Sequence, residues 1–94
     1  MKRSEHRAAL RQTARELIPH LRQALETMPP EAYSAQVLTL RLSRGYMEDA
    51  LEVLTRIDRG EPVDYRAICD AITLEMIANS NLWSSLRYHA RNCL

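Results

Sequence analysis

The side chains of this 94-residue sequence that could ligate a metal, move a proton or attack a carbon are few and scattered. His89 and Cys93 stand four apart, so a helix would place them on one face as two converging ligands. Even an open zinc site takes three protein ligands, and the other histidines, His6 and His20, lie near the opposite end of the chain. The pair would need a second copy to complete a set, and no metal is expected. Ser84 and Ser85 lie close to His89, but a nucleophile needs a base and an orienting group held together with it. They read as polar surface. Glu48, Asp49 and Glu52 imitate paired carboxylates, yet acidic residues in the first turns of a helix are explained by its dipole. Two glycines are too few for a Gly-rich phosphate loop. The expectation is a protein without catalysis and without a cofactor.

Binding chemistry is better represented. Arg3, Arg7, Arg11 and Arg15 recur every fourth residue, with Arg22 beyond them. Residues 1–30 carry six basic against three acidic side chains; residues 31–94 carry seven against nine. The net charge of +1 therefore hides a polarised chain. Like charges at this spacing repel within a helix, and a partner with carboxylates or phosphates would relieve the repulsion through bidentate contacts. The competing reading is a solvated face paired with the acidic remainder of the same molecule. No aromatic residue lies within 1–30 to stack on single-stranded bases. Near the C-terminus, Trp83, Tyr88 and Arg91 are residue types enriched at interface hot spots. Trp83 reads as core, and Tyr88 and Arg91 as surface.

The elements that must position these residues are mainly helical. Leu10, Ala14, Leu17, Leu21, Ala24 and Met28 form one stripe, widened by Ile18 and Leu25, on a helix over 4–28 capped by Ser4. Pro19 should kink it or divide it near Ile18. Met28-Pro29-Pro30 stops it, and Pro30 suits the first position of a next helix. Residues 31–44 carry two signals. Leucine, alanine, glutamine and arginine favour helix. Leu38, Leu40 and Leu42 alternate with Val37, Thr39, Arg41 and Ser43, which is the period of a strand. Helix is the assignment made. Ser43-Arg44-Gly45 is a break or cap before a helix over 46–59 with Tyr46, Met47, Ala50, Val53, Leu54 and Ile57 inside. Gly60 ends it and Asp64 caps the next. Residues 65–93 are either one long helix, with Glu75 and Asn79 in its seam, or two helices broken at Asn79-Ser80-Asn81. Cys69 reads as a small core residue and Cys93 as incidental or exposed.

Read with the strand period, residues 37–76 resemble the order of the ribbon-helix-helix DNA-binding family. The strand is Val37–Ser43, the helices are 46–59 and 65–76, and Gly60-Glu61-Pro62 is the turn between them. The resemblance implies a dimer whose strands pair across the two-fold and enter the major groove, with Thr39, Arg41 and Ser43 pointing outward. It covers under half the chain.

The reading adopted is an all-α domain over 1–94, a bundle of four to five helices with a Pro19 kink. The ribbon-helix-helix core with an N-terminal helical extension is the alternative. A small domain gains from burying apolar surface between copies, so a homodimer is expected. No apolar run of seven or more follows the basic N-terminus and no stretch of about 18 apolar residues occurs, so a cytoplasmic protein off the membrane is expected. The expected function is a non-catalytic regulator or inhibitor that occludes a protein partner. Small phage or plasmid proteins such as anti-CRISPRs and antiactivators exemplify the class. The expected partner-binding residues are Arg3, Arg7, Arg11, Arg15, Arg22, Tyr88 and Arg91, with nucleic acid as the second choice of partner.

Overall fold

A computed structural model describes residues 1–71 and 81–94. Helix α1 (Arg3–Thr27) is continuous through Pro19 and is not divided at Ile18. Pro19 faces solvent, where water can satisfy the carbonyl its missing N–H leaves free. The expected stripe is the core face: Leu10, Ala14, Leu17, Ile18, Leu21 and Ala24 are all buried, and Leu25 and Met28 pack at its margin. The cap differs from the expectation. Ser4 lies inside the helix, and the chain enters at Lys2, whose backbone N–H donates to the Glu5 carboxylate at 3.1 Å. A carboxylate there accepts an otherwise orphaned donor near the positive end of the dipole.

The helix assigned to 31–44 is overturned. Pro30 is the second residue of a β-turn in which Ala32 N–H donates to Pro29 C=O at 3.0 Å; proline presets the required φ at that position. Strands β1 (Ser34–Val37) and β2 (Leu40–Ser43) then form an antiparallel hairpin in register Val37 opposite Leu40 and Ser34 opposite Ser43. A helix would have spread Val37, Leu38, Leu40 and Leu42 around a cylinder with no core on the far side. The hairpin turns Ala35, Val37, Leu40 and Leu42 toward α1 and the next helix, burying Val37 and Leu42. The two-residue turn places Leu38 at φ 57°, a left-handed conformation costing a leucine roughly 1–2 kcal/mol, offset here by its packing against the core. All-α therefore becomes mostly helical with a small sheet. The strand proposed for Val37–Ser43 is instead the end of β1, the turn and β2, already paired within the chain. Val37 points inward, and Thr39 lies in the turn.

Helix α2 (Arg44–Asp58) starts where the break was expected, with Ser43 Oγ accepting from Tyr46 N–H at 3.2 Å. Met47, Ala50, Leu54 and Ile57 are buried, whereas Tyr46, expected inside, is exposed. Gly60 at φ 76° turns the chain out of the helix, the left-handed exit that glycine takes most easily. Asp64 caps α3 (Tyr65–Ala71) by accepting from Ala67 N–H at 2.8 Å. The last helix, α4 (Asn81–Cys93), buries Trp83, Leu86, Ala90 and Cys93. Arg87 Nε donates to the Tyr65 hydroxyl at 3.1 Å. One straight helix would hold residues 22 apart roughly 33 Å from each other, so α3 and α4 do not lie on one straight helix axis. Glu75, Asn79 and Ser80 lie outside the described residues.

Helix α1 is the centre of the fold, with α4 and α2 packed along it and β1 across its C-terminal half. The cysteine assignments are reversed: Cys69 is exposed and Cys93 is buried. On α3 the core face passes through Ile68 and Ala71, which rotates Cys69 outward; on α4 it runs Leu86, Ala90, Cys93 at helical spacing. Among the described residues, no helix is long and apolar enough to cross a membrane.

Candidate functional site

The first three arginines of the fourfold series come together. Arg3, Arg7 and Arg11 lie on successive turns of α1 and form one wall of a groove of about 780 Å³. Leu10, Ile57 and Val63 supply its apolar lining, the connector Gly60–Asp64 forms the opposite wall, and Cys93 and Leu94 close one end. The connector is placed there because Gly60 reverses the chain at the end of α2 and Val63 is buried behind it.

Two of the three are oriented by neutral partners. Arg3 Nε donates to the Cys93 carbonyl at 3.2 Å, and Arg11 Nη2 donates to the Asp58 carbonyl at 2.9 Å. A carbonyl fixes a guanidinium without cancelling its charge. No Asp or Glu among the described residues is ion-paired with Arg3, Arg7 or Arg11. Glu61 and Asp64 stand on the opposite wall, Glu61 beside Arg59 and Asp64 occupied as a helix cap. The groove is thus cationic on one side, acidic on the other and apolar between. Burial pushes the Cys93 thiol above its ordinary range, against the opposing pull of Arg7 and Arg3.

The other expected binding residues fall elsewhere. Arg15 is paired with the Asp58 carboxylate, so the intramolecular reading holds for this member of the series. Arg22 is exposed further along α1, away from the groove. Tyr88 is 56% exposed on α4, and Arg91 is exposed in its last turn. Of the outward residues in the DNA-binding alternative, Arg41 donates to Ser34 Oγ at 3.2 Å across the hairpin and Ser43 is spent as the α2 cap. Glu48 and Glu52 line a shallow depression on α2 together with Arg56 and Arg59.

The pairing of His6 with His89 was missed from sequence. Their Nδ1 atoms are 3.0 Å apart, His6 is buried, and the Tyr88 ring stands edge-on to both imidazoles at 5.4 and 5.1 Å. The signal existed: His6 lies four residues before Leu10, on an N-terminal extension of the apolar stripe. Burial, followed by the neighbouring His6, holds His89 below the usual histidine range. No group of three His, Cys, Asp or Glu side chains that could hold a metal ion occurs among the described residues.

Compared with known protein families, curated proteins and solved structures, the chain matches none.

Proposed function

We propose that this protein is a small non-catalytic regulator or inhibitor that binds a protein partner and occludes part of its surface, through the groove between α1 and the α2–α3 connector. One observation carries the reading: Arg3, Arg7 and Arg11 stand in a row beside an apolar floor, held by carbonyls or by no ion pair among the described residues. A guanidinium row beside buried apolar surface suits a segment offering carboxylates beside an apolar anchor, since arginine pairs bidentately with carboxylate and loses less side-chain freedom per bond than lysine. Interface energy concentrates in a few such arginine and aromatic positions, the rest of the contact serving to exclude water.

The test is affinity capture from nuclease-treated lysate with the natural chain and with an Arg7→Glu, Arg11→Glu variant, followed by direct measurement with the purified partner. The expected result is one defined protein, retained at physiological salt and weakened at least tenfold by the charge reversals. Duplex DNA binding that falls steeply between about 50 and 200 mM salt would overturn the reading in favour of a DNA-binding regulator.

A further inference from the structure

The His6–His89 contact joins the N-terminal turns of α1 to the last turns of α4. We propose that this imidazole pair is an acid-sensitive latch, which holds α4 against α1 at neutral pH and releases that seam on acidification.

At 3.0 Å, one Nδ1 must carry the hydrogen and the other must offer a lone pair. Two neutral rings meet this condition, and so does a pair carrying one extra proton. A pair with two extra protons cannot: a proton on each ring would set two N–H donors and two charges face to face across this contact.

The nearby carboxylates do not pair with the rings to take up that second charge: Glu5, next to His6, accepts from the Lys2 amide. On α1, Arg3 lies one turn before His6 and is itself cationic. On α4, Tyr88 contacts both rings and Cys93 lies one turn beyond His89, with its thiol held protonated by burial. The carboxylates that α2 and its following connector bring toward α1 are engaged elsewhere, Asp58 with Arg15, Glu61 beside Arg59 and Asp64 with the amide of Ala67. Tyr65 of α3 is bound to Arg87. Among the described residues, no Asp or Glu is paired with either ring.

The sign follows. His89 is held below its ordinary value of 6.5 by burial and by His6, so the folded chain binds the proton less readily than the unfolded chain. The stabilising contribution is present above that value and is lost as pH falls through the folded pKa. Seam and groove are neighbours, since Arg3 and Cys93 belong to both. The latch stands independently of what the groove binds.

The test is thermal unfolding between pH 7.5 and 5.0, above the range in which ordinary carboxylates titrate. The natural chain should lose roughly 5 °C or more of Tm across this window, the shift expected of a small domain losing one such contact. His6→Asn with His89→Asn, whose amides bond to each other without titrating, should remove most of that loss. His20→Asn, which alters the exposed histidine, should retain it. Amide exchange on the natural chain, corrected for intrinsic rates, gives the second measurement: acidification should deprotect α4 before α2. A pH-independent Tm in the natural chain, an equal loss in the double variant, or α4 and α2 losing protection together would each overturn the proposal.

Discussion

From Leu17 to Ala24, α1 is buried through aliphatic side chains, with Leu17 and Leu21 fully covered. From Arg3 to Thr13 the same helix is held, alongside Leu10, by an imidazole pair and guanidinium–carbonyl bonds, and its buried Thr13 hydroxyl turns back on its own backbone. Aliphatic burial depends little on pH or salt; contacts between ionisable groups depend on both. One continuous helix therefore has an unconditional end, which fixes the hairpin and the core, and a conditional end, which forms the groove wall.

Three substitutions probe this contrast. The largest effect belongs to the aliphatic end. Leu21→Ala should cost about 2–5 kcal/mol, the range for deleting a buried leucine whose cavity collapses only partly. Urea unfolding at pH 7.5 and 5.5 should give the same loss, and a loss that changes with pH would break the distinction. At the polar end, Thr13 is buried, but its Oγ1 donates to the Ala9 carbonyl at 2.9 Å and needs nothing from another element. Thr13→Val should therefore change stability by no more than about 1 kcal/mol. A larger loss would show that the hydroxyl joins the seam network. The smallest effect is expected for Arg15→Ala. The Arg15–Asp58 pair is partly exposed and should be worth about 0.2–1 kcal/mol, fading in roughly 1 M salt. A salt-resistant loss would mean that the arginine stem, rather than its charge, supports the helix.

The aliphatic end was legible in the sequence because its spacing is local. Leu10, Ala14, Leu17, Leu21 and Ala24 repeat at helical intervals, and the caps at Ser43 and Asp64 and the exit at Gly60 carry their own residue types. The hairpin was half legible. Its period of two was visible, but leucine's helix preference prevailed, and Leu38-Thr39 lacks the Asn-Gly or Asp-Gly signature that would have marked the turn. Tertiary burial of Val37 and Leu42 decided against the local preference. The candidate site divides similarly. The arginine row is a local pattern. The connector opposite it and the meeting of His6 with His89 join parts of the chain far apart in sequence, which spacing cannot reveal.

The reversed cysteines give the molecule two clocks. Cys69 is open to an alkylating reagent at all times, so its modification reports the intrinsic chemistry of the reagent under the conditions used. Cys93 is buried on the inward face of the last turn of α4, at the end of the groove, with burial opposing formation of its thiolate, and its reaction is speeded whenever that end lifts. The ratio of the two alkylation rates on unmodified protein is therefore a running measure of how often the last turns of the chain come away from α1, with the fast thiol as reference for the slow one.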